Sequence, residues 1–561
     1  MLTRLAAGAA GLLVLLATAR PDAHAQTPTA TWDWAARGAS SGASTASNVG
    51  LSVQADAAGN TYAVGSLTGT LTLGSTTLTA PHPTTGYVVK YTPAGQVAWV
   101  CQPSSPSREV NIYDVATDAA GNVYFVGRFY GNLQVGALSL SSPVFITGFV
   151  AKLDAQGTPQ WLARLGGAAA PADGSVVCNG LAVDAAGNLA VSGWLLDTAE
   201  IGGHLLTIDP ITYGAQFIAY FPNPGAALGP AQWVTLLEAA GAPIKSVLRF
   251  DGAGGVLLGT TANGEVRWGS TLLPDTGGSR APLLVKANAA GVPQWAVRPP
   301  TPAAAPAPYD VTLVGVGVDA AGNATLLAGY RATGSSPSAT WLLAQYAAQG
   351  TPRWSQELPT PSANLGFSSL RSDAAGTLYL AGALSGTYQL GATTLTAATP
   401  ASMDAYLLVY TGQGTLRGGA AVSSGSGLES LMDIAVAPSG RVHALGTARD
   451  AAQLGSFTLP ATGSGFEMLL GRFGVATLTG TQPAAASLLQ VTPNPVHGPA
   501  LLNLPAAPTP QAFVLLDALG RPVRHYAVPA GATTARLDVA GLPAGLYVLR
   551  GAGASRKLVL E

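Results

Sequence analysis

Charge is scarce in this sequence. Asp, Glu, Lys and Arg make up 10% of its 561 residues, against about a quarter in ordinary soluble proteins. That excludes a charge-rich disordered chain and most coiled coils. Lys and Arg number 27 and Asp and Glu 28, for a net charge of −1. No basic field exists to gather nucleic acid. Two cysteines exclude a disulfide-stapled scaffold, and Cys101 and Cys178 are expected as buried free thiols. The six histidines are scattered, none at metal-ligand spacing. No Gly-rich phosphate loop opens a helix, so neither a metal nor a cofactor is expected. Beyond the first residues no apolar run approaches the ~20 needed to span a bilayer, so the mature chain is expected to carry no transmembrane anchor. Glycine (70) and proline (40) are abundant, at about a fifth of the chain. That stays below the ~25–30% at which aperiodic Gly and Pro signal disorder.

The first 25 residues read as a secretory signal. Arg4 supplies the positive start and Leu5 to Ala17 a short apolar core. Ala23-His24-Ala25 fits the small-x-small cleavage rule, with Gln26 as the mature start.

Internal repetition dominates residues 26–478. Asp-Ala-Ala-Gly-Asn occurs at Asp56 (Gly59), Asp118 (Gly121), Asp184 (Gly187) and Asp319 (Gly322), with a near copy at Asp373 (Gly376). Weaker copies start at Asp251 and Ala437. The seven copies step by 62, 66, 67, 68, 54 and 64 residues. Each lies between short alternating runs, as in Leu181-Ala182-Val183 before one copy and Leu189-Ala190-Val191 after it, which predicts a hairpin. Asp is expected to accept the turn's backbone N–H groups and Gly to supply positive φ. A calcium loop needs a denser set of oxygen ligands than Ala, Ala and Gly provide.

A second landmark follows. Lys90 leads through Gly95 to Trp99, Lys152 through Gly157 to Trp161, Lys286 through Gly291 to Trp295, and Gln345 through Gly350 to Trp354. Trp233 follows a longer turn, and Gly418 stands where a sixth Trp is expected. This adds two strands, hence four per repeat. The seventh repeat loses its Trp strand, while Trp34-Ala35-Ala36-Arg37 at the N-terminus parallels Trp161-Leu162-Ala163-Arg164. The N-terminal strand is therefore expected to complete the last repeat. Seven four-strand repeats predict an all-β, seven-bladed β-propeller. The Asp118…Gly121-Asn122-Val123-Tyr124 run and the Phe149-Val150-Ala151-Lys152…Gly157…Trp161 run resemble a bacterial β-propeller repeat family. The resemblance implies fold and no single activity.

Residues 479–487 have linker composition. Residues 488–561 change period, with short strands expected at 512–516, 535–539 and 546–549, and predict a small Ig-like β-sandwich. Pro493-Asn494-Pro495, Gly520-Arg521, Gly545-Leu546-Tyr547 and the last strand with Lys557 occur in order. Together they resemble the type A C-terminal sorting domain of the type IX secretion system. The resemblance implies the type IX machinery as a partner and a secreted or outer-surface location in a Gram-negative bacterium.

Chemistry is thin. Gly38-Ala39-Ser40-Ser41-Gly42 matches a nucleophile elbow without its strand–turn–helix setting. Glu200 and His204 are four apart, with no helix expected. Paired carboxylates from different repeats would leave no motif; Asp114, Asp173, Asp197, Glu238 and Asp310 are candidates, and Asp114, Asp310 and Asp433 precede first strands near the expected axis. The recurring Lys and Trp positions are expected to pack between repeats. The expected role is non-catalytic binding of a glycan or surface protein. The alternatives are a polysaccharide hydrolase or lyase and a structural coat component. By sequence, residues 488–561 carry +3 and the repeats about −5, which argues against polyanions such as nucleic acid.

Overall fold

The structure, a computed structural model, describes residues 30–475 and 490–561, apart from short segments within both ranges. The predicted signal (1–25) and linker (479–487) lie outside the described residues.

Among the described residues every element is a strand, so the chain is all-β, and its larger part is propeller-like. Besides short hairpins, residues 30–475 form five four-stranded antiparallel sheets and one nine-stranded sheet, which divides at the pairing of Trp233–Ala240 with Val256–Trp268 into two further four-strand units. Unit 1 is Val49–Ala55, Thr61–Leu67, Thr85–Tyr91 and Val97–Cys101. The first strands of units 2 to 7 are Val110–Thr117, Val176–Val183, Val247–Phe250, Tyr309–Val318, Leu365–Ser372 and Glu429–Val436. Each packs against the next, and Glu429–Val436 packs against Val49–Ala55, so the seven make a closed circle. Unit 7 takes its fourth strand from the other end of the chain: Ala30–Arg37 pairs antiparallel with Glu467–Val475.

Burial explains the composition. Val123–Phe129, a second strand, is buried at six of seven positions, because sheets press on both of its faces. Pro159–Leu165, a fourth strand, is buried at only two. Inner strands thus read as apolar runs and outer ones as mixed sequence, which yields high hydrophobicity with few charges. In six units the first strand carries a bulge, as between Ile112 and Asp114 opposite Gly127 and Val126.

Most repeats hold more than the four strands expected. In six of the seven units the described residues form a further hairpin between strands two and three, such as Thr70–Leu73 with Thr76–Thr79. The hairpins clip onto the tail of the preceding unit. Ala39–Ser41 pairs with Thr70–Leu73, Ser104 exchanges backbone bonds of 2.9 and 2.8 Å with Gln134, and Ser424 N–H donates to Gln453 O at 2.9 Å. Their sequence signal is a weak apolar-x-apolar-Gly pattern, as in Leu71-Thr72-Leu73-Gly74.

Residues 490–561 form a three-stranded and a four-stranded sheet. Leu502, Phe513, Leu515, Leu537, Leu549 and Leu558 from both sheets share one apolar core. The strand expected at 535–539 is Thr534–Leu537, and the others are longer than expected.

Candidate functional site

The repeated turns are self-contained. Gly59 N–H donates to Asp56 O at 3.1 Å. Asn60 donates through its backbone N–H to Asp56 Oδ1 at 2.9 Å and through its side chain to Oδ2, and the Tyr62 hydroxyl reaches Oδ2 at 2.9 Å. Gly59 has φ +82, a conformation that costs other residues about 1 kcal/mol or more. The backbone pattern recurs at Asp118, Asp184, Asp319 and Asp373, with Gly121, Gly187, Gly322 and Gly376 all at positive φ. The Asp oxygens are spent inside the turn.

The recurring Trp and Lys side chains lock neighbouring units. Trp99 donates to Ala155 O at 3.1 Å, on the turn of the next unit, and Lys90 Nζ reaches the same carbonyl at 3.0 Å. Trp161, Trp233, Trp295 and Trp354 donate to Gly225 O, Ala289 O, Ala348 O and Gly412 O. Lys152 and Lys286 reach Pro224 O and Ala348 O. Lys90 and Lys152 also lie over the rings of Tyr62 and Tyr124. Trp99, Trp233, Trp295 and Trp354 each lie on a glycine turn: a Cβ on Gly157 would come within 2.6 Å of the Trp99 ring. Trp34 sits on Gly95 in the same way, which carries the lock across the joint between chain ends.

The axis holds the densest polar chemistry. The residue four before each turn comes from the innermost strand: Ser52, Asp114, Gly180, Val247, Gly315, Ser369 and Asp433. The polar members are consecutive around the circle. Ser369 Oγ donates to Asp433 Oδ1 at 2.7 Å. Ser52 Oγ donates to Asp114 Oδ1 at 2.7 Å and stands 3.4 Å from Asp433 Oδ2. Leu181 N–H donates to Asp114 Oδ2 at 3.0 Å. Asp433 Oδ2 also accepts Val53 N–H at 3.1 Å and forms a 2.7 Å ion pair with Arg371. Arg371 Nε donates to Ile434 O at 2.7 Å. On the opposite side Lys245 Nζ donates to Val314 O at 2.7 Å. Nearly every bond joins two units.

Burial pushes the Asp114 carboxyl up to about 6, with Asp433 adding to the rise; the Ser52 hydroxyl, Arg371 and Leu181 N–H pull the other way. Burial pulls Lys245 down from the ordinary lysine range, while the charges of Asp433 and Asp114 hold it up. Two carboxylates within reach of one hydroxyl can perform acid–base chemistry when one stays protonated. Here most of their lone pairs are already taken by the fold.

The other candidates disperse. Asp310 pairs loosely with Arg280 at 3.8 Å and Glu238 with Arg267 at 3.6 Å. Asp197 closes its own turn by accepting Thr198 N–H at 2.8 Å, and Asp173 lies outside the described residues. Ser40 sits in a strand and gives its hydroxyl to Glu467 Oε1 at 2.5 Å. Glu200 and His204 occupy opposite strands of a hairpin, and His204 Nε2 bonds Ala231 O at 3.0 Å. Cys101 and Cys178 are free thiols, and burial pushes Cys101 up to about 12. Among the described residues no three His, Cys, Asp or Glu side chains group to hold a metal.

In the C-terminal part, Asn494 Oδ1 accepts Val559 N–H at 3.0 Å, fastening the start of the region to its last strand. Pro495 follows it, and Val496 N–H donates to Val559 O at 2.7 Å. Arg521 and Asp517 close a turn at 2.8 Å. Tyr547, just after Gly545, buries its ring and donates to Pro543 O at 2.8 Å. Pro493, Gly520 and the Lys557 side chain lie outside the described residues.

No protein-family model and no curated protein matches the chain. Similar solved structures include a polysaccharide lyase of family 25, an ulvan lyase, at 8% identity and TM-score 0.38, covering 75% of this chain and 96% of that one. An α-L-arabinanase of Penicillium chrysogenum complexed with arabinobiose gives 9% identity and TM-score 0.34, covering 80% and 99%. A DUF4221 protein of Bacteroides vulgatus gives 8% and 0.31, covering 64% and 93%. Overlaps this loose say nothing of what the chain binds.

Proposed function

We propose that the chain is an exported seven-bladed β-propeller with a C-terminal Ig-like sorting module, acting as a non-catalytic binding protein at the cell surface or outside the cell, with a glycan or a surface protein as partner. One observation carries the non-catalytic part: the axial acids are used as fasteners between units. Asp433 accepts Ser369, Val53 and Arg371, and Asp114 accepts Ser52 and Leu181. A general acid or base must present its carboxyl to a substrate proton. The export part rests on the signal-like start and on the ordered Pro-Asn-Pro, Gly-Arg and Gly-Leu-Tyr landmarks. The purified mature chain, tested on a glycan array alongside a polysaccharide hydrolysis screen, is expected to bind without turnover. Depolymerisation of any glycan would overturn the reading. Mass spectrometry is expected to find the chain outside the cell, starting near Gln26 and lacking residues 488–561; an intact chain held in the periplasm would overturn the sorting part.

A second reading, a secreted glycoside hydrolase or lyase, draws on the Asp114 carboxyl, which is pushed up to about 6 beside Asp433. Turnover abolished by Asp114→Asn would establish it.

A further inference from the structure

The seam between units 6 and 7 holds two acids that the fold does not balance. Asp404 opens the third strand of unit 6, Asp404–Tyr410, and Glu429 opens the first strand of unit 7, Glu429–Val436. Their backbones are joined: Glu429 N–H donates to Met403 O at 2.7 Å, and Met403 N–H to Gly427 O at 3.1 Å. Asp404 is 1% exposed and Glu429 0%. Asp404 Oδ2 accepts Ala398 N–H at 2.6 Å, while Asp404 Oδ1 and both Glu429 oxygens lack a hydrogen-bond partner. The Ser402 hydroxyl, beside Asp404, donates to Thr399 O. Ser423 lies between the two acids: its hydroxyl oxygen accepts Ala405 N–H at 2.8 Å, and it neighbours Glu429. The N–H groups of Gly425 and Gln453 also lie near Glu429, off hydrogen-bond geometry. Burial holds both carboxyls above their ordinary range, and Asp404 adds to the rise at Glu429.

The next seam shows what is missing. Between units 7 and 1, Glu467 stands where Asp404 does and Asn48 where Glu429 does: Asn48 N–H donates to Phe466 O at 3.0 Å, as Glu429 N–H donates to Met403 O. There Asn48 Nδ2 donates to Thr70 O at 2.9 Å, and Glu467 forms an ion pair with Arg37. Between units 6 and 7 both arrangements are lost. Arg37 stands opposite Leu469, two residues after Glu467; opposite Tyr406, two after Asp404, stands Ala421. Thr70 lies four residues before Gly74 of its hairpin, and Ala451 four before Gly455. A Cβ on Gly425 would collide with Glu429 Oε1 and come within 2.9 Å of Ala451 O. A carboxylate oxygen and a carbonyl oxygen, both acceptors, thus border the same small space. One seam sums to zero charge and the other carries two buried acids, neither matched by a Lys, Arg or His among the described residues. Buried charges are paired or hold a metal ion.

We infer that the seam between units 6 and 7 binds one divalent cation of the calcium class, held by Asp404 Oδ1, the Glu429 carboxylate and the Ala451 carbonyl oxygen. Carboxylate and carbonyl oxygens are hard ligands, and calcium takes about six to eight of them, water included, in loose geometry. Magnesium demands a near-ideal octahedron and keeps several of its waters, which a seam this closed does not favour. The ion need not cross the core. Met403 is 40% exposed, and Ser424 and Ala451 are exposed, so the acids lie one residue beneath the surface. The mildly acidic repeats attract a cation, and the ion fastens unit 6 to unit 7. The site stands apart from the partner proposed above.

Calorimetric titration of the full mature chain, stripped with a chelator, with calcium chloride tests it, alongside thermal unfolding with and without the ion. One calcium ion per chain is expected to bind and to raise the melting temperature, with magnesium at least tenfold weaker. Glu429→Gln, which keeps the side-chain shape, is expected to weaken calcium at least tenfold and to remove the rise. Ala421→Arg, which installs the residue of the next seam, is expected to do the same. Asp310→Asn, in the loose pair with Arg280, is expected to change neither. Asp404→Asn takes the place of Glu429→Gln if that variant fails to fold. Calcium binding that survives in both Glu429→Gln and Ala421→Arg overturns the site. No binding by the intact chain overturns it as well; Glu429→Gln as stable as wild type would then show that a proton, not a metal ion, lies between Glu429 and Ala451.

Discussion

Asp114 shows what one residue at the axis costs and supplies. Its carboxyl titrates at about 6 in the fold, chiefly through burial, against an ordinary value of 3.8. The folded chain therefore holds that proton more tightly than the unfolded chain. The sign follows: the group weakens the fold as pH rises from about 4 through 6, and this cost is absent below about 4. Wild type is thus expected to gain stability relative to Asp114→Asn when pH is lowered from 7 to 5. Urea midpoints of both proteins at both pH values measure the difference, and parallel shifts would refute it. Glu467 behaves oppositely. Although buried, it is held below the ordinary glutamate range by Ser40, Thr462 and Arg37, so its contribution is present above about pH 4.5 and fades on acidification.

At the scale of elements, the bond between units depends on a large ring seated on a glycine turn. Trp99 covers Gly157, donates to Ala155 O, and packs near Tyr62 with ring centres 6.3 Å apart. Lys90 adds one bond to the same carbonyl. Trp99→Ala is expected to cost about 3 kcal/mol, as large-to-small changes at packed sites do, and Lys90→Met about 1 kcal/mol, one net hydrogen bond. Denaturant unfolding of the two variants ranks them; an equal or reversed order would show that the lysine, not the ring, carries the joint. Recurrence made this element legible in the sequence, because Lys, Gly and Trp return at nearly fixed spacing. The extra hairpins were not legible as units. Their pattern drifts from Leu71-Thr72-Leu73-Gly74 to Ala199-Glu200-Ile201-Gly202 and Val266-Arg267-Trp268-Gly269, since a short hairpin needs only a glycine and two inward apolar residues. The axial arc was legible still less. Its seven positions hold Ser, Asp, Gly, Val, Gly, Ser and Asp, so only the offset from the turn repeats, and Ser52 and Ser369 carry no signal of their own.

For the molecule as a whole, the two ends of the repeat array meet in one sheet. Ala30–Arg37 pairs with Glu467–Val475, Trp34 is 6% exposed and lies on Gly95 of unit 1, and Arg37 forms an ion pair with Glu467. Asp33 receives Arg472 Nε at 2.8 Å. A ring closed this way hides strand edges that would otherwise recruit other chains. It also makes the N-terminal strand part of the last unit in stability as well as in geometry. The orphan Trp34-Ala35-Ala36-Arg37 copy at the start of the sequence made this arrangement legible before any coordinates, because a strand matching the missing part of unit 7 had nowhere else to pair. Amide hydrogen exchange read by mass spectrometry tests the closure directly. Peptides covering Ala30–Arg37 are expected to exchange as slowly as those covering Glu467–Val475. Exchange of Ala30–Arg37 at the rate of an unstructured peptide, with Glu467–Val475 still protected, would contradict it.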